Sequence, residues 1–321
     1  MHAYSYSRFL LARLHFDSLL DRASPKAIKT AVKEMPKGLQ TLPQVYDGVM
    51  ARVQDQTDYS RDQALTILTW LFFARATLSP LELQHALAIE PHTDVFDEDN
   101  VSDIESLVSV CKGLVSVDQE SEVVRLSHYT IQEYFEQSNR PYLEHGEGMI
   151  ATACLTYLSY ENLVEHRYGA FTSAGTDECT DLEDDVADAK SDPNPSQTSQ
   201  RMPLFPYAAE HWGRHAVEVQ NDIQDLALTF FLMTDTLIET LAYVEVCHSG
   251  NIMEDLDNPR PAIQGIHLCA HFDLDFCFST LLGNGADHNA KDKLGRTPFY
   301  GQLKPRAYVS SACFWNYQIS I

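Results

Sequence analysis

From Arg61 onward, apolar side chains fall at Ala64, Ile67, Leu68, Leu71 and Phe72, the three-and-four spacing of one helix face. Ser79 and Pro80 open a second helix whose Leu81, Leu83, Leu87 and Ile89 are expected to face a core, and a third helix runs over about 104–112 and stops at Gly113. In the next stretch, LVSVDQESEVVRLSHYT, the period changes. Val115 and Val117 sit at alternate positions, polar residues make a turn, and Val123, Val124 and Leu126 return, which predicts a β-hairpin. Three helices followed by a hairpin is the order of a winged-helix domain, and a further helix is expected over 131–137. Its expected core is Leu68, Leu71, Phe72, Leu83, Leu87, Val115, Val117 and Leu126.

Helices are predicted on both sides. Ser24 and Pro25 cap one that ends near Pro36 and Gly38, and Pro43 opens another with Val45, Tyr46, Val49, Met50 and Val53 on one stripe. Helical patterning resumes over 149–160, 206–219, 223–234 and 237–247. Between them, residues 177–192 hold eight acidic residues and one lysine and run into SDPNPSQTSQ, a composition too poor in apolar groups to pay for ordering. A disordered acidic loop is expected over about 172–202.

Near the C-terminus, aligning Gln264–His267 with Thr297–Tyr300 gives an offset of 33 residues, the period of an ankyrin unit. Leu268, Cys269 and Ala270 are small or apolar where a first helix packs closely, and Thr280, Leu281 and Leu282 are expected to form the apolar face of a second. Gly285 supplies the left-handed residue that ends a helix, with Ala286, Asp287 and Asn289 in the following turn; His267, Gly295, Thr297 and Pro298 complete the pattern. One such unit cannot bury its own face, so docking on helices around 226–246 is expected.

The fold class predicted is mainly α: a helical arm (1–58), a winged-helix domain with a small β-hairpin (59–140), a helical region (141–260), one to one-and-a-half ankyrin repeats (261–300), and a divergent tail (301–321). Net charge is −23, and the segment from Arg61 to Tyr160 carries −11, the wrong sign for neutralising phosphates. No nucleic-acid or membrane partner is expected; a protein with a basic or apolar face fits better. Seven scattered cysteines without a C-x-x-C pair argue for reduced, buried thiols, and with no signal-peptide core or apolar run of spanning length a cytoplasmic location is expected.

His211 and His215 stand four apart on one helix, a spacing two metal ligands could use. The Glu inside the pair that metalloproteases use is missing and no third ligand is evident, so a helix packing Trp212 and Tyr207 with flanking histidines is the preferred reading, and no metal is expected.

The blocks FLLARLHFDSLL, AVKEMPKGLQ, ILTWLFFARATLSPLELQHALAI, LVSVCKGLVSVDQESEVVRLSHYTIQEYFE, YAAEHWGRHA and GIHLCAHFDL, in this order, resemble fungal NACHT-type, NLR-like proteins. In that family a nucleotide-binding module precedes a helical arm, a winged helix labelled after a GPI inositol-deacylase, and ankyrin repeats. The resemblance implies regulated signalling through protein partners, with the NTPase supplied in cis or in trans.

The departures are equally specific. None of the 14 glycines is followed by lysine, so no phosphate-cradling Gly-Lys-Ser/Thr loop exists and no cofactor is expected. No Gly-x-Ser-x-Gly elbow is present for a hydrolase nucleophile. Pro305 stands where a second repeat's helix should propagate, so a shortened product is expected. The expectation is a non-catalytic regulatory and protein–protein interaction module with no catalytic residue. The alternatives are a winged-helix DNA-binding regulator, reading through residues 83–89 or the hairpin tip, and a diverged hydrolase.

Overall fold

Thr57 starts a helix of 16 residues, its hydroxyl accepting the Ser60 N–H at 3.3 Å while Arg61 pairs with Asp58 at 2.8 Å. The structure, a computed structural model, describes residues 24–34, 42–91, 93–137, 145–161, 202–233 and 265–291, with positions 12, 14–16, 19, 143, 297 and 298. The helix expected at 237–247, the acidic loop, Gly295 and the tail after 300 lie outside the described residues. The chain divides into two units, residues 1–88 with 98–146 and residues 89–97 with 147–321.

The first unit contains α1 (Pro25–Glu34), α2 (Leu42–Gln54), α3 (Asp58–Phe73), α4 (Pro80–Ala88), α5 (Ile104–Val110), β1 (Val115–Asp118), β2 (Val123–Leu126) and α6 (Tyr129–Gln137), with a 3-10 turn at Glu98–Asn100. A reciprocal cap starts α4. Ser79 N–H donates to Glu82 Oε2 at 2.7 Å and Glu82 N–H donates to Ser79 Oγ at 3.3 Å, so two backbone donors at the helix start are satisfied. β1 and β2 pair antiparallel in the register Val115 to Leu126 and Asp118 to Val123, and Leu78 adds an isolated antiparallel bridge to Val124. Ile67, Leu68, Trp70, Leu83, Leu107, Val115, Val124 and Ile131 are the buried centre. This is a helical unit with one hairpin, the content of a winged-helix domain.

The arm helix α2 is tied to this unit. The Tyr46 and Tyr134 rings lie 5.1 Å apart, Tyr46 Oη and Thr130 Oγ1 are 2.6 Å apart, and Tyr134 O–H donates to Asp47 Oδ1 at 2.8 Å. Burial, the dominant effect, pushes the Tyr46 phenol up to about 12.

On α4 the burial differs from the expected face: Leu83, His85, Ala86 and Ala88 are buried, Leu87 and Ile89 are half-buried, and Leu81 is exposed. Desolvation lowers the His85 imidazole from 6.5 to about 4. The sign follows directly. As pH falls below 6.5 the unfolded ring takes up a proton that the folded ring refuses until about 4, so stability is expected to drop across that window. In urea titrations at pH about 7 and about 5, H85Q should lose less stability than the parent; equal losses would remove His85 as the source.

The second unit contains α7 (Gly146–Ser159, from Glu147 onward), α8 (Phe205–Ala216), α9 (Gln224–Leu232), α10 (Gly265–His271) and α11 (Asp275–Gly283). Residues 89–97 belong here because Phe96 is buried against the Tyr157 and Tyr160 rings at 5.7 and 5.6 Å, and the Tyr160 hydroxyl bonds both Glu90 N–H and Glu90 C=O at 3.1 Å. Among the described residues no helix is long and apolar enough to cross a membrane.

Candidate interaction site

A winged helix usually presents its third helix and its hairpin to a partner. Here α5 begins at Asp103, whose carboxylate accepts the Ser106 N–H at 2.9 Å, and it exposes Glu105, Ser106 and Ser109. The hairpin tip adds Asp118, Glu120 and Glu122. The Glu120 and Ser121 N–H groups, with a smaller contribution from Arg125, hold the Asp118 carboxyl below its usual range. Both surfaces are negative or neutral.

On the same unit, a cavity of about 500 Å³ opens where the end of α3, the 74–78 loop, β2 and the start of α6 meet. Its apolar lining comes from Leu71, Leu78, Val124 and Leu126, and its polar lining includes Arg75, Arg125, His128 and Gln132. Arg125 Nη2 donates to Asp118 Oδ2 at 2.8 Å, and Gln132 Nε2 donates to Glu136 Oε1 at 3.2 Å. His128 Nδ1 accepts the Thr130 N–H at 3.2 Å, so the uncharged ring carries its hydrogen on Nε2 as a donor. Burial lowers the His128 imidazole, with Glu133 opposing.

Of the expected winged-helix core, Leu68, Leu83 and Val115 are buried, while Leu71, Phe72, Leu87, Val117 and Leu126 are half-buried. Two of these half-buried residues, Leu71 and Leu126, line the cavity, so their open sides face it. The cavity's polar members escaped the sequence reading. Arg75 and Arg125 stand fifty residues apart, and the Leu78–Val124 bridge, with α3 packed on β2, brings their segments together.

In the second unit, α10 and α11 form a helical hairpin. Leu268 and Ala270 are buried on α10, and on α11 the packed residues are Cys277 and Phe278. Leu281 is half-buried and Leu282 exposed, which corrects the expected apolar face. Cys277 and Phe278 are the buried residues of α11 instead. Gly285 takes φ +93° after the helix, with Gly285 N–H and Ala286 N–H donating to the Leu282 and Leu281 carbonyls, both at 3.0 Å. His267 Nε2 lies 3.1 Å from the Ala290 carbonyl oxygen, and Asn289 N–H donates to Asp287 Oδ1 at 2.8 Å. Thr297 is half-buried and Pro298 buried.

His211 and His215 both point inward. His215 Nδ1 meets the Glu147 carboxylate and Nε2 lies 2.9 Å from the Tyr207 hydroxyl, so both ring nitrogens are committed within the fold; the His211 ring packs edge-on to Tyr207 at 4.8 Å. Among the described residues, no group of three or more His, Cys, Asp or Glu side chains could hold a metal ion. The described thiols, Cys111, Cys154, Cys269 and Cys277, are buried, and burial pushes Cys111 up to about 12 and raises the other three.

Residues 51–142 match the family model described as GPI inositol-deacylase, winged helix domain. The match begins in the last turn of α2 and ends beyond α6, so Tyr46 and Asp47, which fasten α2 to α6, lie just before it. No curated protein and no solved structure matches the chain.

Proposed function

We propose that the chain is a non-catalytic regulatory and protein-interaction module, whose winged helix and arm act on an NTPase module of the NACHT type in cis or in trans. The match of residues 51–142 supports the comparison with chains in which this winged helix follows NACHT. The observation that carries the reading is the charge of the surfaces a winged helix offers. Glu105 on α5 and Asp118, Glu120 and Glu122 on the hairpin repel phosphate and suit a protein face. In the second unit, the α10–α11 hairpin is read as an ankyrin-type element that contributes a further protein-binding surface, on the 33-residue spacing and the left-handed Gly285.

The test mixes the purified chain with a NACHT NTPase module and follows co-elution and nucleotide hydrolysis. Co-elution with a hydrolysis rate changed by about fivefold or more is expected. Separate elution and an unchanged rate would sink the regulatory reading. A gel shift at low salt separates the DNA alternative: no retarded band is expected at micromolar protein, and a sequence-dependent band would favour a DNA-binding regulator.

A further inference from the structure

Helix α1 carries a charge opposite in sign to that of the chain. Its 10 residues hold Lys26, Lys29 and Lys33 against the single Glu34, whereas the chain as a whole stands at −23. At about 100° per residue the three lysines fall on one face, and Ala27, Ile28, Ala31 and Val32 form the opposite stripe. Among the described residues none of the three ammonium groups forms an ion pair.

The fold uses only part of the apolar stripe. Ala27 and Ala31 are half-buried, but Ile28 is 37 % and Val32 48 % exposed, one turn apart and on the side of the stripe nearer Lys29. Local signals start and end this helix. Ser24 Oγ accepts the Ala27 N–H at 3.2 Å, Pro25 opens the first turn, and Lys33 complements the helix dipole in the last. A helix this short is marginal by itself, so covering Ile28 and Val32 stabilises it.

We propose that α1 docks into a groove of a partner protein with an apolar floor and a carboxylate rim, Ile28 and Val32 entering the floor while Lys26, Lys29 and Lys33 meet the rim. The inference rests on the protein-interaction reading above and gives the arm a surface and a partner chemistry. Two β-branched anchors at i and i+4 suit a helix laid in a groove, and charge complementarity decides the sign of the rim. An anionic bilayer fits less well. At physiological salt fields reach about 8 Å, so a groove closing round α1 meets the lysines, while an extended anionic surface also meets the acidic remainder of the chain.

The probe is calcium-loaded calmodulin, a promiscuous acceptor of amphipathic helices whose apolar grooves open only with calcium. Fluorescently labelled calmodulin is titrated with the full chain and followed by anisotropy. Saturable binding at about 100 µM or tighter is expected in calcium. It should weaken at least about tenfold when EGTA closes the grooves, and again between about 0.1 M and about 0.5 M salt. K26Q, K29Q and K33Q combined should weaken it by about tenfold, and I28Q with V32Q should abolish it. All five positions are exposed and glutamine is at least as good a helix former as isoleucine or valine, so the fold should survive, which a circular dichroism melt checks.

No binding at about 100 µM, equal binding in EGTA, or indifference to either set of substitutions would overturn the proposal. If calmodulin fails and the chain sediments instead with phosphatidylserine vesicles, in a manner lost in the I28Q and V32Q variant, the face belongs to a membrane and the proposal falls. The two readings fail separately: a chain that regulates the NTPase but does not bind calmodulin loses this proposal alone. A chain that binds calmodulin through α1 without touching the NTPase loses only the regulatory partner.

Discussion

Trp212→Ala is expected to destabilise the second unit by about 3–5 kcal/mol, read by urea denaturation followed by far-UV circular dichroism. The side chain is fully buried, and its ring stands 5.6, 5.9 and 5.2 Å from Phe230, Phe231 and Phe272, so α8, α9 and the turn after α10 all meet on it. Removing the indole leaves a cavity that three aromatic rings cannot all close upon, and the cavity cost adds to the lost transfer energy. W212F separates packing from hydrogen bonding. Trp212 Nε1 is buried without a hydrogen-bond partner, so phenylalanine discards an unsatisfied donor along with some volume and should cost much less than alanine. A W212A midpoint within about 1 kcal/mol of the parent would show that this cluster is not the core of the unit.

Gly213→Ala is expected to destabilise by about 1–3 kcal/mol, opposite in sign to what helix propensity alone dictates. Gly213 lies inside α8, where alanine is intrinsically preferred by about 1 kcal/mol. A Cβ built there would sit 2.1 Å from Phe272 Cγ, and Phe272 is itself buried with its ring against Trp212. Overpacking therefore outweighs propensity. F272L in the G213A background should recover stability relative to G213A, giving a coupling of about 1 kcal/mol or more in a double-mutant cycle. A G213A chain more stable than the parent would mean that the helix and the Phe272 ring do not meet this closely.

The two substitutions are neighbours in sequence and show how far the sequence carries. That Trp212 is a core residue is legible from YAAEHWGRHA, since an indole and a tyrosine within two turns of one helix have few places to go but inward. That the glycine beside it is a contact surface is not legible, because Phe272 lies 59 residues away and reaches it only when α10 folds back. Phe96 is similar: it stands among acidic residues and is recognised as buried only once Tyr157 and Tyr160 are placed beside it.

Local signals determined the elements of this protein by themselves. Period changes mark the helices and the hairpin, Ser79 with Glu82 announces the start of α4, and Gly285 announces the end of α11, because caps, turns and periodicity act within a few residues of the chain. Net charge likewise argues against a phosphate-reading surface, since its sign does not depend on the fold. The tertiary structure alone decided which apolar faces are covered: Cys277 and Phe278 rather than Leu281 and Leu282 on α11, and Leu71 and Leu126 left half-open to a cavity. It also gathered Arg75, Arg125 and His128 around that cavity through the Leu78–Val124 bridge. The reason is physical: burial and electrostatic fields sum over neighbours in space, and those neighbours are set by long-range pairing that no local pattern encodes.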